Sequence, residues 1–158
     1  MTAEQIHDLL AKKLGAAVLP YQAPAAGDPW IGVKAEALPQ AARLLRDEPA
    51  LAFDLLRLVS GVDWKDRISS VYHLYSTRHN HEVTIRVDLD REQPRVESVA
   101  AVWPAADWLE RETFDLMGIV YEGHPGLTRI LLPDDWPGHP LRKDYVAPTE
   151  YHGISNLQ

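Results

Sequence analysis

The sequence predicts an α+β domain: a single two-layer unit in which helices pack a mainly antiparallel sheet, followed by an extended C-terminal segment. Three observations carry this. Helix-period runs stand both before and after a central block of strands, an order that gives segregated layers and not a doubly wound sheet. Val83, Ile85, Val87 and Leu89 alternate with Glu82, Thr84, Arg86 and Asp88, which puts every apolar group on one face of a strand. The 158 residues, 46% hydrophobic and 25% charged, suit one ordinary domain with a sizeable core. The domain is expected over residues 1–145 and the extended tail over 146–158.

Taken in order, Ile6, Leu9, Leu10 and Leu14 recur at helical spacing and Gly15 stands where the helix should stop. Short apolar pieces at Ala16 to Leu19 and Trp30 to Val33 are expected as strands, separated by the loop QAPAAGDP, whose prolines and glycine suit neither helix nor central strand. A second helix begins at Leu38-Pro39 and is ended by Pro49, and a third, short one is expected over Leu51 to Arg57. The run SSVYHLYS (69–76) suits a pleated surface, TRHN forms a hairpin loop into the alternating strand, and Val96 to Val102 is expected as a third antiparallel member.

Trp103-Pro104 then opens a helix over AADWLERETFDLMG, with Pro104 in its first turn and Gly118 at its end. At about 100° per residue, Ala105, Leu109, Thr113 and Leu116 make an apolar stripe, with Asp107, Arg111 and Asp115 opposite and Arg111 in reach of either aspartate. Glu110 and Glu112 fall on the flanks of the stripe. They read either as part of a solvated charged face or as anchors for a neighbouring loop or chain, since a buried carboxylate needs a partner. As a catalytic pair they fit poorly, because side chains two positions apart on a helix diverge.

Composition narrows the function. No window has the roughly 18 consecutive apolar residues of a membrane span, and the N-terminus lacks the basic start and apolar core of a secretion signal, so a cytoplasmic location is expected. There is no cysteine, hence no disulfide, thiolate nucleophile or sulfur ligand for an iron-sulfur cluster. A formal charge of −7 disfavours nucleic acid as a partner.

The stretch WLERETFDLMGIVYEGHPGLTRILLPDDWPGHPLRKDY, from Trp108 to Tyr145, closely resembles the C-terminal signature of the C subunit (NuoC) family of bacterial respiratory complex I, the NADH:quinone oxidoreductase; the mitochondrial counterpart is the iron-sulfur protein 3 subunit. Glu110, Arg111, Glu112, Asp115 and Gly118 match one block, His124, Pro125, Arg129 and Ile130 the next, and Gly138, His139, Pro140, Leu141, Arg142, Lys143 and Asp144 the last. Gly126 and Thr128 depart from it, standing where the family often has an aspartate and an arginine.

The resemblance implies a noncatalytic structural subunit of the peripheral, quinone-reducing module of complex I. It would dock chiefly on the D subunit, which lines the quinone cavity, with other peripheral-arm members such as the B and I subunits as further neighbours. It implies no cofactor in this chain, FMN and iron-sulfur clusters on other subunits, and a peripheral place on the cytoplasmic side of the inner (cell) membrane, reached only through the complex. Glu110, Arg111, Glu112, Asp115, His124, Arg129, His139, Arg142, Lys143, Asp144 and Tyr145 are then the expected structural and interface residues. Similar domains in ferredoxin-dependent complexes and membrane-bound hydrogenases are an alternative home.

The tripeptide Gly-His-Pro occurs twice, at 123–125 and 138–140. One reading makes His124 and His139, with Asp134, the ligands of a zinc hydrolase. Against it, Pro125 and Pro140 exclude the short helical spacing that aligns two imidazoles. The other reading makes each tripeptide an elbow, its imidazole bonded to loop backbone. Between the elbows, LTRILLPDDW reads as a short strand or extended segment, with Arg129 as partner for a helix glutamate. After them, apolar periodicity stops, and the tail is expected to order on a partner through Tyr145, Tyr151 and Ile154.

Overall fold

The structure is a computed structural model and describes residues 1–21 and 27–155. Most of the QAPAAGDP loop and the last three residues of the expected tail lie outside the described residues.

Helix α1 (Ala3–Leu14) begins with a reciprocal cap, in which the Gln5 amide donates to the Thr2 hydroxyl and the Thr2 amide to the Gln5 side chain. It buries Ile6 and Leu10 and ends at Gly15. Strand β1 (Trp30–Gly32) and helix α2 (Leu38–Asp47) follow, α2 burying Leu38, Ala41, Ala42 and Leu45. Ala16 to Leu19 is not a full strand: Gly15–Ala17 form a 3-10 turn, and only Val18 bridges antiparallel to Val33.

Strands β2 (Leu55–Asp63), β3 (Ile68–Ser76) and β4 (His81–Leu89) form an antiparallel meander, and β1 adds in parallel to β4, giving the order β1-β4-β3-β2. The alternation read in β4 holds throughout, with Tyr72 opposite Ile85 and Leu74 opposite Val83 on the core face. TRHN is the β3–β4 turn.

The helix expected at Leu51 to Arg57 is absent. Leu51 and Phe53 are fully buried in a turn whose amides donate to Glu48 and Leu45 carbonyls, and from Leu55 the chain pairs with β3. A short apolar run has no period that separates strand from helix, and here the long β3 partner decides.

The third antiparallel member is also corrected. Only Arg95–Glu97 forms a strand, β5, and it pairs in parallel with β6 (Val120–Glu122) in a separate two-stranded sheet. Residues 99–103 turn instead, because the Val99 carbonyl takes the amides of Val102 and Trp103.

Helix α3 (Ala106–Met117) lies across β2, where Gly61 leaves no room for a side chain: a Cβ there would stand 2.7 Å from Met117 Cγ. Together α1, α2 and α3 pack one face of the sheet and close the core. Beyond β6 an arm over 123–149 has no regular element, and LTRILLPDDW is neither a strand nor extended throughout: it bends at 130–132, where three successive amides converge on Asp115, and turns at 134–135. The described residues end in a hairpin of two two-residue strands, β7 (Glu150–Tyr151) and β8 (Ile154–Ser155). Among the described residues no helix is long and apolar enough to cross a membrane.

Candidate functional site

Helix α3 and the arm wrapped around it contain every residue expected at the site. The buried stripe of α3 is Ala106, Glu110, Thr113 and Met117, one step round from the expected one, and Asp115 on the far side is fully buried as well. Apolar periodicity misses this because the helix is covered twice, by the sheet and by the arm, and the arm is held through polar groups.

Asp115 is the centre of that hold. One carboxylate oxygen takes Arg129 Nη1 at 2.7 Å, and the other takes the successive amides of Ile130, Leu131 and Leu132 at 3.1, 2.8 and 2.9 Å. Burial opposes the charge most strongly, but the three amides and the guanidinium together hold the carboxyl below its ordinary range. Arg129 also donates to the carbonyls of Trp136 and Gly138, at 3.0 and 3.1 Å. Its partner is thus Asp115 and not a glutamate.

The histidines sit at opposite ends of α3. His124 Nε2 lies 3.0 Å from the Asp107 carbonyl in the first turn, and its Nδ1 accepts the Gly126 amide at 3.0 Å. That pair of bonds puts the proton on Nε2. His139 Nδ1 lies 2.9 Å from the Asp115 carbonyl in the last turn, which puts a proton on Nδ1. Eight residues of helix separate the two carbonyls, about 12 Å at 1.5 Å per residue, so the structure does not bring His124 and His139 together. Among the described residues no group of three metal-ligating side chains is assembled.

The second elbow completes the C-terminus of α3. A helix leaves its last four carbonyls without helical partners. Here the Phe114 carbonyl takes the Gly118 amide, Asp115 takes His139, Leu116 takes the Leu141 amide, and Met117 takes Arg142 Nε at 2.8 Å. Gly118, at φ 73°, lets the His139 ring lie against the turn; a Cβ there would stand 2.6 Å from His139 Cδ2.

The remaining expected residues divide. Arg111 pairs with neither aspartate; it donates to the Thr128 carbonyl and hydroxyl and to the Arg129 carbonyl, at 3.2, 3.3 and 3.2 Å. Thr128, where the sequence departs from the family pattern, therefore has a partner. Glu110 is fully buried, taking the Ser98 hydroxyl at 2.5 Å and the Val99 amide at 2.8 Å; burial pushes its carboxyl up to about 7 against those two bonds. Glu112 is exposed and has no hydrogen bond or ion pair among the described residues.

Lys143 presents an exposed side chain, while its amide donates to Asp63. Asp144 pairs with Arg91 at 3.0 Å, and the Tyr145 hydroxyl accepts Trp136 Nε1 at 3.0 Å. In the tail, Tyr151 packs on Trp136 with centroids 4.8 Å apart, and both Tyr151 and His152 bond the Asp135 carboxylate at 2.8 Å; Ile154 is exposed.

Two groups have no signal in the sequence. Asp63, at the end of β2, accepts Arg91 and the amides of Lys65 and Lys143, and the Arg91 guanidinium, with those amides, holds its carboxyl well below the usual range although burial opposes this. Tyr121 joins Ser70 and Thr113, at 3.0 and 2.8 Å, in a buried polar knot between β3, α3 and β6. Both link positions at least 50 residues apart, which no local pattern marks.

Comparison with known proteins places this architecture. Residues 31–151 match the family described as "Respiratory-chain NADH dehydrogenase, 30 Kd subunit". Among curated relatives, the C subunit of the NADH-quinone oxidoreductase of Saccharopolyspora erythraea is 53% identical over 70% of this chain and 47% of its own length. That of Mycobacteroides abscessus is 48% identical over 79% of this chain and 58% of its own. The chain thus spans about half the length of the curated relatives it matches. A trypsin-resistant fragment (1-134) of Nqo5 superposes with a TM-score of 0.65 at 28% identity, over 80% of this chain and all of that one. In the membrane-bound sulfane sulfur reductase, an archaeal respiratory membrane complex, a chain shares the fold at a TM-score of 0.73 and 24% identity, over 90% of this chain and 85% of that one. On the strength of the family match over residues 31–151, the chain belongs to the family of the respiratory-chain NADH dehydrogenase 30 Kd subunit.

Proposed function

We propose that the chain is a noncatalytic structural and assembly subunit of the peripheral, quinone-reducing module of a proton-translocating NADH:quinone oxidoreductase, docked chiefly on the D subunit on the cytoplasmic side of the membrane. The single observation that best supports a scaffold is how the polar groups of α3 are used. His124 and His139, the residues most suited to chemistry, are bonded to the backbone at the two ends of the helix, and Asp115 is taken up by three amides and Arg129. The helix and arm form a fixed shape rather than a set of groups poised on a substrate.

The iron-sulfur clusters would belong to other subunits, since this chain brings no thiolate, and FMN would be held with them outside this chain. Membrane association would come through the complex. The test is a tagged chain extracted from membranes in mild detergent and resolved by size. Migration with NADH:quinone reductase activity, and crosslinks to the D subunit, are expected. Recovery of the chain by itself, with no such activity in its fraction, overturns the reading, and a hydrolase activity with near-stoichiometric metal replaces it.

A further inference from the structure

The most exposed large apolar side chain of α3 is Trp108, at 66%, and it faces Leu131 of the arm, exposed at 61%. With Leu109, Glu112 and Ile130 they line a groove of about 350 Å³. Its walls are set by the bonds already described: Asp115 fixes the amides of Ile130 and Leu131, and Arg111 lies 5.5 Å from the centroid of the Trp108 ring while holding the carbonyls of Thr128 and Arg129. A preformed groove loses little entropy when it is filled.

The charges say what fills it. On α3, Glu110, Arg111 and Asp115 are bonded within the chain, and Asp107 lies 3.4 Å from His124 Nε2. Glu112 alone among these has no partner among the described residues, and it lines the groove. An occupant therefore needs apolar side chains for Trp108 and Leu131 and a cation for Glu112. A second copy of the chain fits poorly. Each copy carries a formal −7, and a two-fold contact through this groove would set the two Glu112 side chains near each other.

We propose that this groove seats an amphipathic segment of another polypeptide of the complex, with aliphatic or aromatic side chains entering between Trp108 and Leu131 and a lysine or arginine paired to Glu112. This rests on the reading of the chain as a member of a larger complex, and it names the surface and the chemistry of the contact. Grooves of this kind recognise helices through spaced apolar anchors, with charge setting register.

The test places the photocrosslinker p-benzoylphenylalanine at position 131 of the full chain within the assembled complex, and separately at 108, where it replaces another large aromatic. Illumination is expected to join the chain to one peptide of another polypeptide, with a lysine or arginine within about one helical turn of the attached side chain. Glu112→Lys is expected to lower the yield by about tenfold, and reversing the partner's basic residue to glutamate to restore it. Adducts only to a second copy or to lipid, no adduct at either position, or an unchanged yield with Glu112→Lys overturns the groove. Loss of the complex with both crosslinker variants, while the wild-type chain assembles, is scored by Glu112→Lys alone: assembly of that variant at the wild-type level overturns the groove, and weakened assembly upholds it. A wild-type chain missing from the complex overturns the proposed function as well.

Discussion

Asp115 and Arg129 are joined at 2.7 Å with the carboxylate wholly buried, and the same carboxylate fixes the three amides that follow the arginine. This one side chain holds the arm against the C-terminal half of α3. Asp115→Ala leaves a partly buried guanidinium and three amides without their acceptor, and losing one member of such a pair costs about 3–5 kcal/mol. Urea denaturation measures the loss, and limited proteolysis is expected to cut between residues 125 and 140 in the variant before the sheet domain is touched.

The two buried carboxylates of α3 should give opposite pH dependences. Asp115 has a lowered folded pKa, so the native state binds fewer protons than the unfolded chain; its stabilisation is present above the unfolded value, about 3.9, and is lost as pH falls through the folded one. Glu110 has a raised folded value of about 7, so the native state binds more protons between its ordinary value and 7. Stability should therefore fall as pH rises across that window and level off above it, by up to about 3 kcal/mol. Glu110→Gln is expected to flatten the slope of denaturation free energy between pH 5 and 7 and to leave the acid limb unchanged.

Gly118 and His139 should behave as a coupled pair. Gly118→Ala places a Cβ at positive φ, costing about 1–2 kcal/mol for the backbone alone, and drives it into the His139 ring. In a double-mutant cycle His139→Ala should relieve the second part. The two losses measured by thermal denaturation are then expected to sum to more than the loss in the double variant.

Arg142→Ala removes a donor from the last carbonyl of α3, and Arg111→Ala releases the Thr128 and Arg129 carbonyls. Each should cost about 1–3 kcal/mol, leaving the sheet domain folded by circular dichroism. Exchange of the Gly118 and Leu141 amides should quicken in the first variant. Association with the D subunit is expected to weaken in both, and normal assembly with full quinone reductase activity in both contradicts the docking role.

The sheet was readable where residues follow a period. The alternation from Glu82 to Leu89 gave β4 and its buried face, Gly15 and Gly118 marked two helix ends, and TRHN marked a hairpin. Leu51 to Arg57 misled because a short apolar run looks the same in either geometry until the β3 partners of Leu55 and Leu56, Tyr75 and Leu74, are known. At the site, the repeated Gly-His-Pro showed that two bends exist, and both glycines do take positive φ, 73° and 75°. What each imidazole grips was hidden, because Asp107 and Asp115 contribute backbone carbonyls, which any residue could supply. Asp63 was hidden for a related reason: it meets Lys143 across 80 residues of chain.

The claim that the two histidines pin the ends of α3, and do not form a reactive or metal-binding pair, is tested most directly by long-range nitrogen–proton NMR of the imidazoles in the purified chain. His124 is predicted to hold its proton on Nε2 with Nδ1 bare, and His139 to hold one on Nδ1, both unchanged by added zinc. A protonated Nδ1 on His124, a bare Nδ1 on His139, or shifts of both rings on adding one equivalent of zinc contradicts it.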